Sequence, residues 1–158
     1  MDYQRPELIT YIRENFKLDW HGTHGANHWA RVLHHSKVIG EHRGADLLVV
    51  ELFGFLHDSC RENEYQDPGH GKRAAELARE LNQTYFDLKP TQMQNLCYAI
   101  EHHSGGEVSV DATIQTCWDG DRLDLGRVGI VPSAKYLSPQ ATQLIDLAVV
   151  MSMKKTTL

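Results

Sequence analysis

The stretch GFLHDSCREN puts His57 and Asp58 side by side at the end of an apolar run, and a chain gains nothing from burying two ionisable groups unless something compensates them. Further residues of the same kinds follow the same habit: His28 in HGTHGANHWARV, His70 in DPGHGKRAAE, His102 and His103 in AIEHHSGG, and Asp121 in WDGDRLDLG. Imidazole is the commonest metal ligand, and a set of nitrogens with carboxylates suits iron, manganese, cobalt or zinc better than an all-oxygen calcium site. A single His–Asp pair at a helix end also serves as an ordinary structural hydrogen bond. The order His, His-Asp, His, His, Asp argues for more than that. Adjacent residues on a helix lie about 100° apart, so at most one of His102 and His103 faces a shared centre.

Bringing these groups together requires tertiary packing, because they are spread over the chain near the ends of different helices. Apolar residues recur at helical spacing throughout, and the one alternating stretch, Val108 to Ile114, is too short to outweigh them. The fold class is therefore all-α, with about six to seven helices. They are expected over Glu7 to Leu18, about Ala26 to His42, about Asp46 to Asp58, from His70 through HGKRAAELARELN, from Pro90 through TQMQNLCYAIEHH, about Ala112 to Leu125, and about Gln140 to Ser152. The helix over 46–58 is apolar on nearly every side and belongs in the middle.

At 158 residues the chain reads as a single domain, its motif-bearing core spanning about 20 to 130 and the last helix packing on it. A formal charge of −5 argues against nucleic acid as partner. The longest apolar run, Leu47 to Leu56, is broken by Glu51 and is far short of the roughly 20 residues that span a bilayer. Three cysteines without a CxxC pair, and an opening MDYQRPELIT without an apolar leader, point to a cytoplasmic protein with free thiols. Nothing in the sequence marks an oligomeric state.

The ordered set, with FLHDSCR, HGKRAAELA, AIEHHSGG and DGDRLDLG around it, resembles the HD-domain superfamily of metal-dependent phosphohydrolases, whose signature is H…HD…D on a helical core. The similarity is closest to members that hold two metals, including those that cleave diadenosine tetraphosphate. It implies a helical HD-domain bundle in which His28, His57, Asp58 and Asp121 hold one ion, Asp58 bridges, and His70 and His102 hold a second. Asp121 is preferred to Asp119 because Gly120-Asp121-Arg122-Leu123 matches the family's A-D-x-L context, with glycine in place of alanine. The GYP triplet of the signalling-nucleotide phosphodiesterases is absent.

The resemblance implies one or two divalent ions (iron, manganese, cobalt, zinc or magnesium) and a small anionic phosphate-containing substrate, plausibly a nucleotide. Water bound to such ions loses its proton near neutral pH and can attack phosphorus, with Asp58 at the centre of the machinery. Arg61 has the planar fork suited to phosphate, and Arg31, one turn past His28, can orient a carboxylate or bind substrate. His24, four residues before His28, and His103 are candidates to protonate a leaving group. Lys72 and Arg73 read mainly as solvated charges. Two other functions fit the same residues: a di-iron oxygenase of HD type, and a non-catalytic nucleotide-binding module.

Overall fold

In the computed structural model, which describes residues 2–154, the sequence forms eight α-helices. They are α1 (Arg5–Asn15), α2 (Ala26–Arg43), α3 (Leu47–Leu56), α4 (His70–Leu81), α5 (Pro90–His102), α6 (Ala112–Leu123), α7 (Pro139–Thr142) and α8 (Ile145–Ser152). Short 3-10 turns cover Asp124–Val128 and Ala134–Tyr136. Among the described residues β pairing is confined to an isolated bridge between Asn82 and Phe86. The all-α expectation holds.

Helix α3 is the centre of the bundle, as its uniformly apolar sequence requires: Val49, Val50, Leu52, Phe53, Phe55 and Leu56 are all buried. Helices α2, α5 and α6 pack around it. Its start is pinned by Asp46, whose side chain accepts from the backbone N–H groups of Leu48 and Val49 and from Gln92 Nε2 of α5, while the Asp46 N–H donates to Thr113 Oγ1 of α6. Fixing that end fixes where His57 and Asp58 emerge at the other.

Helices α2 and α6 approach closely enough that a Cβ at Gly120 would lie 2.9 Å from the Val32 carbonyl oxygen, so only glycine fits beside Asp121. Trp29 and Trp118, neighbours of candidate ligands in sequence, are core residues: Trp29 packs edge-on against Phe16 and Trp20, and Trp118 donates Nε1–H to the Ala99 carbonyl.

The C-terminal segment departs from expectation. The single helix read over 140–152 is two, α7 and α8, separated at Gln143 and Leu144. The Leu144 N–H bonds three residues back to Ala141, and Leu144 and Ile145 then pack on a small cluster of Ile39, Leu123, Leu137, Ala141 and Ala148. None of the described helices is long and apolar enough to cross a membrane.

Candidate metal centre

Five helix ends converge. His28 projects from α2, His57 and Asp58 from the end of α3, His70 from the start of α4, His103 from just past α5, and Asp121 from α6. His28, His57, Asp58, His70 and His103 are buried, and Asp121 is nearly so.

Asp58 divides two groups of ligand atoms. On its Oδ2 side are His28 Nε2 at 3.5 Å and His57 Nε2 at 3.6 Å, with Asp121 Oδ1 at 3.3 Å and 3.7 Å from the same two nitrogens. On its Oδ1 side are His70 Nε2 at 3.3 Å and His103 Nε2 at 3.5 Å. His28, His57 and Asp58 can hold one ion, and Asp58, His70 and His103 another.

The other ring nitrogens decide what these atoms offer. His57 Nδ1 donates to the Phe53 carbonyl (3.1 Å), His70 Nδ1 to the Asp67 carbonyl (2.5 Å), and His103 Nδ1 to the Ile100 carbonyl (2.6 Å). His28 Nδ1 donates to the Asp124 carboxylate (2.7 Å). A carbonyl can only accept, so each neutral ring carries its proton on Nδ1 and turns a lone pair inward on Nε2. Those lone pairs then meet head-on, His28 with His57 at 3.1 Å and His70 with His103 at 2.9 Å. A proton on one ring of each pair or a metal ion between the rings satisfies both nitrogens, and with carboxylates alongside, the donor set fits a divalent ion.

A model of the HD domain matches residues 25–146. The chain belongs to the HD-domain family. The fold agrees: the crystal structure of a protein described as a predicted HD superfamily hydrolase, from an uncultured Thermotogales bacterium, superposes with a TM-score of 0.73 at 23% identity, over 94% of this chain and 86% of that one. Among curated proteins none matches.

Where the second group differs from the sequence reading is at the double histidine. His103, not His102, joins the HD centre; the His102 ring instead lies against Tyr98, centroids 4.5 Å apart. Position 103 continues the face on which Leu96, Ala99 and Ile100 are buried, whereas position 102 continues the face of Tyr98. The helical face carried the signal.

The electrostatics follow from burial and neighbours. Burial works against charge on His28, as does Arg127, but hydrogen bonds to Asp121, Asp124 and Asp58 overcome both and lift its pKa to about 9. Burial pushes His57 down to about 3, keeping it neutral. Burial alone would raise the Asp58 carboxyl, but the histidines around it hold it well below the usual range. Asp121 is depressed in the same way.

Around the HD core sit residues that hold the ligands in place. Asp67, whose carbonyl anchors His70, is itself held by Arg73 Nη2 at 2.6 Å and 2.7 Å, so Arg73 is a brace and not a solvated charge. Arg31 orients a carboxylate, that of Asp124. Asp119 is fully buried, accepts from Ser138 and Gln115, and anchors the start of α7 to α6.

The centre opens into a cleft of about 370 Å³ whose walls carry Arg61, Arg122 and Arg127. Arg61 donates Nε–H to Asp58 Oδ1 at 3.2 Å and is braced by the Asn63 carbonyl. His24 also lines the cleft. It lies in the turn before α2 and not on that helix, and its Nδ1 pairs with Glu64 at 2.5 Å. Burial lowers its pKa against the pull of Glu64.

Proposed function

We propose that the protein is a metal-dependent phosphohydrolase that hydrolyses a small phosphate ester, with nucleotides the first class to test. One observation carries the reading: a single buried carboxylate, Asp58, is shared by two groups of inward-facing imidazoles at the floor of a cleft walled by three arginines.

His28, His57, Asp58 and Asp121 would hold one divalent ion, and Asp58, His70 and His103 a second. Bound there, the ions would supply Lewis acidity toward phosphoryl oxygens and a water acidic enough to ionise near neutral pH. Arg61, fixed on Asp58, presents the rest of its guanidinium to a phosphate entering the cleft. His24 has one ring nitrogen held by Glu64, leaving Nε2 to move a proton at the ester oxygen as the P–O bond breaks. The three cysteines are unpaired, in keeping with a cytoplasmic setting.

The test is phosphate release from a panel of nucleotides and simple phosphate esters, using protein prepared without chelator and supplied in turn with Mn²⁺, Co²⁺, Fe²⁺, Zn²⁺ and Mg²⁺. Asp58→Ala should abolish turnover and metal uptake while keeping helix content by circular dichroism. An Asp58→Ala variant as active as wild type would sink the proposal. Oxygen consumption by an anaerobically prepared di-iron form, with no phosphate released from any substrate, would favour oxygenase chemistry instead.

A further inference from the structure

Three of the four inward-facing histidines lean on backbone carbonyls; His28 alone leans on a charge. That charge, Asp124, is fully buried and lies one helical turn beyond Asp121. The two aspartates therefore meet opposite edges of one imidazole: Asp121 Oδ1 lies 3.3 Å from His28 Nε2, and Asp124 Oδ2 lies 2.7 Å from Nδ1. Asp124 is fixed in turn by Arg31, through Nε at 2.6 Å and Nη2 at 3.1 Å, and its carbonyl accepts from Arg127 Nη1 at 3.0 Å. Arg31 is buried too, and its Nη1 donates to the Lys154 carbonyl at 3.0 Å.

We propose that Asp124 is a positioning residue that sets metal affinity on the His28 side of Asp58 and leaves the His70–His103 side untouched. The inference rests on the metal-centre reading. A carboxylate accepting the Nδ1–H bond fixes the tautomer, prevents the ring from turning about its long axis, and makes Nε2 a stronger donor than a carbonyl-backed imidazole. Arg31, bonded through Nε and Nη2, fixes both oxygens of the Asp124 carboxylate and so its orientation toward His28 Nδ1. Asp119 supplies an internal comparison: it is an equally buried carboxylate five residues earlier, within α6, bonded to Ser138 and Gln115 and to no candidate ligand.

The experiment is a Mn²⁺ titration of the full chain, free ion counted by electron paramagnetic resonance, for wild type, Asp124→Asn and Asp119→Asn, with urea unfolding of each metal-free protein alongside. Asp124→Asn should weaken binding of one equivalent per chain by about 10- to 100-fold and leave the other unchanged. In a His103→Ala background, where only the His28 side remains intact, the whole of the residual binding should weaken. Asp119→Asn should lose folding stability without changing either affinity. If Asp124→Asn fails to fold because Arg31 is left unpaired, the double variant Asp124→Asn/Arg31→Gln removes both charges together and carries the same expectation. Wild-type affinity in the Asp124 variants, or equal weakening by Asp119→Asn, would overturn the inference while leaving the metal centre standing. Wild-type protein that takes up no Mn²⁺ would overturn both.

Discussion

Gly71, the residue after His70, is where a single added carbon should separate the two halves of the second ligand group. A Cβ there would lie 2.8 Å from the Ile100 carbonyl oxygen and 2.9 Å from that of Glu101, where ordinary contact begins at 3.4 Å. Both obstacles are backbone of α5 and cannot rotate aside, so α4 must retreat by about 0.6 Å. The Ile100 oxygen is also the acceptor that holds His103 Nδ1 at 2.6 Å, so the strain falls on both partners of the 2.9 Å His70–His103 contact. Overpacking of this kind costs about 1–3 kcal/mol, and alanine's better helix propensity returns at most about 1 kcal/mol. From the middle of that range the net loss is about 1 kcal/mol, which lowers the melting temperature of a chain this size by roughly 2–4 °C. Thermal melts of metal-free Gly71→Ala, followed by elemental analysis after loading, should show that loss together with weakened uptake of the second ion and retention of the first. A variant that melts at or above wild type and holds both ions would refute the reasoning.

The adjacent histidines should behave oppositely. His103→Ala removes one of three donors and should lose the second equivalent of metal, whereas His102→Ala, on the Tyr98 face, should keep both and change stability by about 0.5 kcal/mol or less; loss of an ion in His102→Ala alone would restore the sequence-based assignment. His35 makes stability depend on pH. Burial, with the charge of His34, pushes its pKa down to about 4, against about 6.5 in the unfolded chain. Between those values the unfolded state binds more protons, so this contribution is intact above pH 6.5 and is lost as pH falls toward 4. The depression corresponds to about 3 kcal/mol, and urea unfolding should show wild type losing that much more than His35→Leu between pH 7 and pH 4; parallel pH curves would contradict it.

What was legible in the sequence follows from what is local. Helix α3 announces itself by a run of apolar residues, and the placement of His28, His57, Asp58 and His70 at helix ends follows from caps, glycines and prolines nearby. The choice between His102 and His103 is also local: counting back from position 103 lands on Ile100, Ala99 and Leu96, the buried face, whereas the motif resemblance by itself points to His102. Asp124 and Glu64 are a different matter. Their partners, His28 and His24, lie 96 and 40 residues away, and no property of a charged residue in DRLDLG or RENEYQ tells a buried holder from a solvated charge. The break at Gln143 and Leu144 depends on where α2 and α6 place Ile39 and Leu123, which only the assembled bundle determines.

The most direct test of the central claim is a crystal structure of the protein loaded with Mn²⁺, with the ions located by anomalous scattering. Two peaks are expected, one on either side of Asp58: one among His28, His57 and Asp121 and the other between His70 and His103. No peak at Asp58 after loading, or ions bound elsewhere with the imidazoles still facing one another, would contradict the claim.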